Sequence, residues 1–417
     1  MRVALINTNR YLEPPVIPLG IEYLAHYLDR EGHEIKVIDL TFDESPEETL
    51  REELDKFDPH LAGFSIRNTD TCLYPDSVFL LDEAASLIAG CRNACNAKLV
   101  IGGSALHVGI EEVADYIDCD CAVSGPGEKA LPMLLELLDS RRDLPKFFNG
   151  WLTGLDADEV PARGRWVDYS PYLKRRGVAG FETQLGCLGN CSFCLEAGLP
   201  LSHRDPEAVV AELQNLQELG CRDLHLCDCE FNQDIEFCKV LLNRIIAAGL
   251  DIEWSPYMKA VPYDAQLFHL IAESGVKTIT LCVDSHSLSE GEYEMRSVAG
   301  FIKEAKANGI KLAVDVLLGF PDDELEELRR IIDFFKRERP NTVGIHPWLR
   351  LYKHTRVGRN IMAKPPDKGR IEGDDPDFLQ PVFYNWVDDD TCESLIDGDP
   401  LFRIEGKERL SNYERLK

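Results

Sequence analysis

The strongest constraint on the fold is an alternation of short apolar segments with apolar patterns of helical period in the front part of the chain. Period and composition predict five strands, at 3–7, 34–40, 61–66, 99–102 and 119–124. Strands separated by helices need crossover connections, which join parallel strands. The front part is therefore predicted to form a doubly wound, Rossmann-like parallel sheet. Ligands of such sheets bind beyond the carboxyl ends of the strands.

A second series of strands and helices begins near residue 181. Its six predicted strands are 181–185, 223–227, 252–255, 278–283, 311–317 and 343–347. The helix after the first of them has clear end signals, with Asp205 at the N-cap, Pro206 at the first helical position and Gly220 at the end. Six strands at this spacing predict a partial, TIM-like (βα)6 barrel. Barrel chemistry takes place at the C-terminal mouth.

These patterns divide the chain of 417 residues into four predicted parts. They are a Rossmann-like domain at 1–145, a connecting segment at 146–180, a partial barrel at 181–360 and an extension at 361–417. The connecting segment is irregular and rich in aromatic residues and proline. We expect the acidic extension to cover the open side of the barrel.

Net charge limits the partners that this chain can bind. Its 45 Lys and Arg residues against 73 Asp and Glu residues give a formal charge of −28, which disfavours nucleic acid and anionic membranes. No apolar run reaches the ~18–20 residues that a membrane span needs. The first residues, MRVALINTNR, lack the architecture of a signal peptide. A cytoplasmic location is expected, and there the 14 cysteines are not a disulfide framework.

The sequence Cys187-Leu188-Gly189-Asn190-Cys191-Ser192-Phe193-Cys194 carries the clearest chemical signal. It places three thiols in the loop after the first barrel strand, at the predicted mouth. Cysteine thiolates hold iron–sulfur clusters, and three ligands on a four-iron cube leave one iron open to a substrate's amino and carboxylate groups. The alternative is structural zinc, which requires four ligands, and the nearest candidate, His203, lies nine residues further on.

The spacing C-x3-C-x-aromatic-C resembles the signature of the radical S-adenosylmethionine superfamily. This resemblance implies a [4Fe-4S] cluster held by Cys187, Cys191 and Cys194. It also implies that the open iron binds the methionyl end of S-adenosylmethionine, whose reductive cleavage gives a 5′-deoxyadenosyl radical. The protein then binds, orients and shields, while the cofactor carries the difficult chemistry.

Polar residues at the ends of later strands resemble further positions of this superfamily. The segment from Cys227 to Asn232 is similar to a turn whose acidic side chain holds the methionyl ammonium, and both Asp228 and Glu230 are candidates. Asp284-Ser285 resembles the pair near the ribose and carboxylate, Gly319-Phe320-Pro321 a turn near the adenosine, and Tyr352 part of a segment beside the adenine. The candidates for S-adenosylmethionine binding are therefore Asp228, Glu230, Asp284, Ser285 and Tyr352.

The front domain resembles the cobalamin-binding domain of one large subfamily of these enzymes. Its candidate cobalamin residues lie in loops at the ligand edge of the sheet: Arg67, Asn68, Gly102, Gly103, Ser104, Gly125, Gly127 and Glu128. Glycine there lets the backbone approach a large, flat ligand. Arg67 is the candidate for the lower face of the corrin, with a contact to the phosphate tail or a domain interface as the alternative.

One motif match is misleading. Asp58-Pro59-His60-Leu61-Ala62-Gly63 fits D-x-H-x-x-G, the pattern whose histidine ligates cobalt in other cobalamin proteins. In this chain the pattern precedes the third strand instead of following the first. His60 is therefore expected at the amino edge of the sheet, away from the ligand, and the lower face of a bound corrin would lack a histidine ligand.

Together these resemblances imply a cobalamin-dependent methyltransferase that acts on an unactivated carbon of a small molecule or natural-product intermediate. A peptide substrate remains open, and an electron donor such as flavodoxin or ferredoxin is expected. Rearrangement, cyclisation or C–C bond formation without methyl transfer is the alternative, followed by a non-enzymatic cluster protein. A methylthiolating tRNA-modifying enzyme is disfavoured. Such an enzyme would carry three cluster cysteines in its front domain and a basic RNA-binding tail, whereas the tail of this chain is acidic. No catalytic residue is assigned.

Overall fold

The computed structural model describes residues 1–407 and 415–416. These residues form two compact units, each interrupted in sequence. Unit 1 comprises Met1–Thr71, Phe79–Thr183 and Ser202–Leu224. Unit 2 comprises Cys72–Val78, Gln184–Leu201 and the described residues from His225 onward. The four-part division of the chain stays a prediction, and residues 408–414 and 417 of the extension lie outside the described residues.

The front part of the chain follows the alternation of strands and helices that the sequence predicts. In chain order its elements are β1 Arg2–Asn7, α1 Leu19–Arg30, β2 Glu34–Asp39, α2 Pro46–Phe57, β3 Leu61–Ser65, α3 Leu81–Ala94, β4 Lys98–Gly102, α4 Ile110–Ile117, β5 Cys121–Ser124, α5 Ala130–Asp139, β6 Phe147–Asn149, α6 Ser170–Lys174 and β7 Ala179–Phe181. Short 3-10 helices occupy Ser104–His107 and Gly150–Leu152.

The remaining elements continue this alternation and end with short strands. They are β8 Gln184–Leu185, β9 Ser202–His203, α7 Pro206–Glu218, β10 Asp223–Leu226, α8 Ile235–Ala248, β11 Glu253–Ser255, β12 Tyr257–Met258, α9 Ala265–Glu273, β13 Thr278–Asp284, α10 Ser285–Glu290, α11 Met295–Ala307, β14 Lys311–Leu317, α12 Leu325–Glu338, β15 Thr342–His346, β16 Leu349–Arg350, α13 Arg356–Ala363, β17 Arg370–Glu372, β18 Phe383–Asn385, α14 Asp389–Ile396 and β19 Phe402–Ile404. A 3-10 helix spans Phe231–Gln233.

Unit 1 is built on a parallel sheet with strand order β2-β1-β3-β4-β5-β6. Five residues of β1 are buried, as expected for a strand covered on both faces. The strand order reverses between β1 and β3, since β2 lies on one side of β1 and the later strands lie on the other. Doubly wound sheets bind their ligands at such a switch point. The sheet therefore places the loops after β3, β4 and β5 at one edge, where the sequence predicts the ligand.

The sixth strand, β6, lies inside the segment expected to be an irregular connection. It pairs in parallel with β5, with Phe147 opposite Ala122. This edge strand is three residues long with two of them exposed, so it lacks the buried apolar run that would indicate a strand in the sequence.

His60 lies at the opposite edge of the sheet from the predicted ligand loops. Its Nδ1 accepts a hydrogen bond from the Arg2 backbone N–H at 3.0 Å, at the start of β1. The amino-edge position follows from the order of the motif and the strand, because His60 immediately precedes β3.

A buried charge cluster joins three stretches of unit 1. Arg163 is fully buried and donates through Nε to Glu22 at 2.8 Å and through Nη1 to Glu212 at 2.6 Å. Tyr23 donates to Glu212 at 2.8 Å, and the Gly164 N–H donates to Glu22 at 2.7 Å. Both carboxylates are therefore satisfied from within the protein, although Nη2 of Arg163 has no partner among the described residues.

Unit 2 contains a parallel sheet of order β12-β13-β14-β15-β19. Strands β13, β14 and β15 match the predicted barrel strands closely. Strand β19 comes from the extension and pairs with β15, with Val343 opposite Phe402. The extension therefore contributes a strand to the sheet, whereas the sequence predicted only a cover. Strands β16, β18 and β17 form a separate antiparallel sheet.

Two local predictions meet different outcomes. Helix α7 begins as predicted, since the Asp205 carboxylate accepts hydrogen bonds from the N–H groups of Glu207 and Ala208. The predicted strand at 181–185 is instead two short strands, β7 and β8, separated by Glu182 and Thr183.

No helix in the described part of the chain combines the length and apolar character of a membrane span.

Candidate functional site

The three cysteines of the signature lie on one loop of unit 2 that follows β8. The loop closes on itself, since the Cys187 N–H donates to Leu199 O at 3.1 Å and the Gly198 N–H donates to Cys187 O at 3.0 Å. Gly186 has a φ of +88°, and a side chain there would overlap the Pro200 carbonyl. Glycine is thus needed for the turn that carries the chain into the cysteines.

Backbone amides point at two of the sulfurs. The Gly189 N–H donates to Cys187 Sγ at 3.3 Å, and the Glu196 N–H donates to Cys194 Sγ at 3.4 Å. A hydrogen bond of this kind stabilises a thiolate and tunes a cluster that the thiolate holds. Burial raises the pKa of Cys191 to about 12 and that of Cys194 to about 11. Metal binding would displace these protons.

The donor set fits an iron–sulfur cluster. It consists of three cysteine sulfurs on a short loop, two of them receiving N–H donors, and the ligands of a cubane bind different irons rather than one ion. Among the residues that the structure describes, no three His, Cys, Asp or Glu side chains meet as they would around one metal ion.

A fourth cysteine, Cys229, lies beside the loop. Its thiol is 2.7 Å from Glu196 Oε2 and also within hydrogen-bonding reach of Cys187. The contact with Cys229 lowers the pKa of Cys187 to about 6. The sequence signature gave no sign of this contact, because 42 residues separate Cys187 from Cys229. Cys227, two residues earlier, is exposed.

The structure distinguishes the two acidic candidates at the end of β10. Asp228 is buried, and its Oδ1 accepts a hydrogen bond from the Gln184 N–H at 3.2 Å at the start of β8. Oε2 of Glu230 is also buried but has no hydrogen-bond partner among the described residues. Burial raises the pKa of Glu230 to about 8, although Lys259 opposes this shift. Glu230 therefore lacks the partner that a buried carboxylate normally has.

Asp284 and Ser285 lie where β13 meets α10, and both side chains make local contacts. Oδ1 of Asp284 accepts a hydrogen bond from the Ser287 N–H at 2.7 Å and caps the helix. The Ser285 hydroxyl donates to Asp323 at 2.6 Å. The same Asp323 oxygen accepts the N–H groups of Gly319 and Phe320 at 2.9 and 3.0 Å. Asp323, which no sequence motif indicated, thus links Ser285 to the Gly319-Phe320-Pro321 turn.

Tyr352 follows β16. Its hydroxyl lies 3.0 Å from the Cys72 thiol, which belongs to the short segment Cys72–Val78 of the same unit. The guanidinium of Arg350 lies over the Tyr352 ring, 4.5 Å from its centroid. These two contacts fix the orientation of the ring.

His346, the last residue of β15, forms a second contact that no sequence motif indicated. His346 contacts Glu405 through Nδ1 at 2.6 Å and Asp315 through Nε2 at 3.3 Å. Burial disfavours the charged ring, but the two carboxylates outweigh it and raise the pKa of His346 to about 9. Histidine in the middle of two acids is expected to stay protonated at neutral pH.

In unit 1 the loops after β3 and β4 are tied together at the predicted cobalamin edge. The Ser104 hydroxyl donates to Arg67 O at 2.6 Å, and Gly102 ends β4. Gly103 has a φ of +105°, and a side chain there would overlap the Ile66 carbonyl. The side chains of Arg67 and Asn68 are exposed. Glycine at position 103 is therefore required by the close approach of two loops, whether or not a ligand is bound.

The loop after β5 has internal partners of its own. A side chain on Gly125 would come within 2.7 Å of the Trp151 ring, and one on Gly127 within 2.8 Å of Leu24. The Glu128 carboxylate lies 3.7 Å from Arg204. Packing inside unit 1 thus accounts for these three residues without a ligand.

Comparison with known proteins identifies the same two domain families that the sequence motifs resemble. Residues 9–135 match the model of the B12 binding domain, and residues 181–335 match that of the radical SAM superfamily. The chain is 25% identical over 445 aligned positions to tryptophan 2-C-methyltransferase of Streptomyces laurentii, covering 86% of this chain and 74% of that protein.

Solved structures give the same fold. The radical S-adenosylmethionine methyltransferase TsrM from Kitasatospora setae, with cobalamin and a [4Fe-4S] cluster bound, superposes with a TM-score of 0.87 and 24% identity over 97% of this chain and 92% of that one. Its structure with tryptophan and a S-adenosylmethionine analogue gives 0.88 and 24% over 98% and 92%. The predicted fold class, a Rossmann-like sheet followed by a partial barrel, is confirmed.

Proposed function

Because the chain belongs to the radical S-adenosylmethionine superfamily and carries an N-terminal B12-binding domain, we propose that it is a cobalamin-dependent methyltransferase acting on a small molecule. The observation that carries this proposal is the presence of both cofactor domains in one chain that aligns over 86% of its length with a carbon methyltransferase. The methylated atom is proposed to be an unactivated carbon.

The cysteine loop is the proposed cluster site. Cys187, Cys191 and Cys194 would hold the [4Fe-4S] cluster, and the amides of Gly189 and Glu196 would stabilise two of the thiolates. When bound, the cluster supplies an electron for cleaving S-adenosylmethionine, and the corrin supplies a carrier for the methyl group. The protein contributes fixed donors and a buried setting.

Glu230 is the proposed partner of the methionyl ammonium. Its buried oxygen has no partner in the described residues, and a cation would satisfy it and return its pKa toward the ordinary range. Asp228 is assigned a positioning role, because its carboxylate already anchors β8 through the Gln184 N–H.

Asp284, Ser285 and Tyr352 are proposed to surround the rest of S-adenosylmethionine. Asp284 uses Oδ1 as a helix cap, so its other oxygen is assigned to the ribose. Ser285 donates to Asp323 and would shape this wall through the turn at Gly319. Tyr352, held under Arg350, is assigned to the adenine.

The cobalamin edge is proposed to be formed mainly by the loops after β3 and β4. Arg67 and Asn68 present exposed side chains, and Gly102, Gly103 and Ser104 form the loop bonded to them. Arg67 is assigned to the lower face of the corrin. Gly125, Gly127 and Glu128 are assigned to the rim, where their packing partners hold the loop in place.

The proposed partners follow from the same reasoning. The substrate is a small molecule, electrons come from a flavodoxin or ferredoxin, and the charge of −28 disfavours nucleic acid. The chain is proposed to work in the cytoplasm.

The test uses the full chain, reconstituted anaerobically with iron and sulfide, together with hydroxocobalamin, a low-potential reductant and S-adenosylmethionine carrying a 13C-labelled methyl group. We expect labelled methylcobalamin by mass spectrometry and, with tryptophan as the first probe substrate, 5′-deoxyadenosine or a labelled product. Cobalamin that remains unbound at every concentration would overturn the proposal. 5′-Deoxyadenosine without any label on cobalamin would favour a rearrangement or cyclisation.

A further inference from the structure

Lys259 lies against the cysteine loop, and neither the sequence signature nor the proposed function uses it. It follows β12, and its ammonium occupies the space that a side chain on Gly189 would fill. The same absent side chain would lie 3.2 Å from Cys187 Sγ. Gly189 therefore leaves room for the ammonium in the middle of the signature, between the first two cysteines.

The backbone of Lys259 is held from both sides by one residue. Asn232 accepts a hydrogen bond from the Lys259 N–H at 2.9 Å and donates to the Lys259 carbonyl at 3.0 Å. Asn232 is fully buried, as are Met258 and Ala260 on either side of the lysine. The direction of the side chain is thus set by a rigid part of the fold.

Within the described part of the chain, the Lys259 ammonium has no carboxylate at ion-pair distance. One oxygen of Glu292 and one of Glu230 are themselves buried without hydrogen-bond partners among the described residues. The lysine is therefore a cation placed against the cysteine loop, at the glycine beside Cys187.

We propose that Lys259 is a positioning residue that holds a positive charge against the cluster loop and thereby favours the reduced, more negative state of the cluster. Net charge and surroundings set the potential of an iron–sulfur cluster, and a nearby cation raises it. The inference rests on the proposed cluster site. It assigns Gly189 a second purpose, which is to admit the ammonium.

The test measures the reduction potential of the reconstituted full chain without S-adenosylmethionine, by titration followed by electron paramagnetic resonance. Iron and sulfide contents are measured on every sample. Lys259→Met is expected to shift the potential downward, with the equilibrium constant for reduction falling about tenfold, which corresponds to ~59 mV for a one-electron couple. Lys259→Arg keeps the charge and is expected to stay nearer to the wild type.

Two further variants make the test specific. Lys277→Met makes the same substitution at an exposed lysine just before β13, where Lys277 lies 3.6 Å from Glu253. This variant should leave the potential unchanged. Gly189→Ala keeps the lysine but displaces its ammonium, and is also expected to lower the potential. It supplies the test if Lys259→Met assembles its cluster poorly. Full cluster content with wild-type potentials in Lys259→Met, or in Gly189→Ala, would overturn the inference alone. A wild-type chain that forms no cubane would overturn both the inference and the proposed function.

Discussion

Two groups of buried carboxylates in this molecule differ in whether the protein satisfies them. In unit 1, Arg163 bonds to Glu22 and Glu212, and each carboxylate receives at least one further donor. In unit 2, the buried oxygens of Glu230 and Glu292 have no partner among the described residues. Buried polar groups normally have hydrogen bonds, so removing the cation of the first group is expected to destabilise the fold, whereas the second group is expected to bind a ligand.

Cys191→Ser should have the largest effect, because it removes one of the three proposed cluster ligands. Iron content is expected to fall, and reductive cleavage of S-adenosylmethionine is expected to fall at least ~10²-fold, beyond the usual cost of losing an outer-shell partner. Iron and sulfide analysis and 5′-deoxyadenosine measurement test this. Cys119→Ser, at a half-buried cysteine of unit 1, is the matched control and should keep both.

Arg163→Met tests the satisfied group. It leaves two buried carboxylates without their shared cation, which is expected to lower the free energy of unfolding by about 3–5 kcal/mol. Guanidinium unfolding of the full chain measures the loss. Arg165→Met makes the same substitution two residues away at an exposed ion pair with Asp29, and should cost no more than about 1 kcal/mol. Equal losses in the two variants would remove the contrast between the groups.

Glu230→Gln tests the unsatisfied group and should act on binding instead of folding. Because the pKa of Glu230 in the folded chain is raised to about 8, its contribution to stability is greatest below the unfolded value and is lost as pH rises toward 8. Relative to Glu230→Gln, the wild-type apoprotein should lose at most about 1.4 kcal/mol per pH unit between pH ~4.5 and ~8. Affinity for S-adenosylmethionine should fall about tenfold in the variant. An unchanged affinity measured by calorimetry would contradict the assignment.

Cys229→Ser should have the smallest effect. Its thiol contacts Glu196 and Cys187, and a serine hydroxyl can still donate to Glu196. Cluster content is therefore expected to stay at the wild-type level, as measured by iron and sulfide analysis. Loss of one iron per chain would mean that Cys229 is a ligand.

Sequence reasoning succeeded where the signal is local. The parallel strands are continuous apolar runs, the Asp205 cap lies beside its helix, and the three signature cysteines lie within eight residues. Strands β13 to β15 were placed within one residue or two of their observed bounds.

Features made by distant residues were missed. Glu405 meets His346 across 59 positions, Arg163 meets Glu22 across 141, and the Lys259 ammonium reaches Gly189 from the loop after β12. Glu22 lies in a helix and the others lie in loops or at strand ends, so no pattern of neighbouring residues indicates any of these contacts. Only the packing of the fold brings them together.

The account depends on the cysteine loop holding a four-iron cluster with one iron open to S-adenosylmethionine. Mössbauer spectroscopy of the full chain, reconstituted with 57Fe, tests this directly. We expect a [4Fe-4S] spectrum in which one iron of the four changes its isomer shift when S-adenosylmethionine is added, while the other three do not. A sample with no cubane, or a cubane whose four irons all ignore the added ligand, would contradict the account.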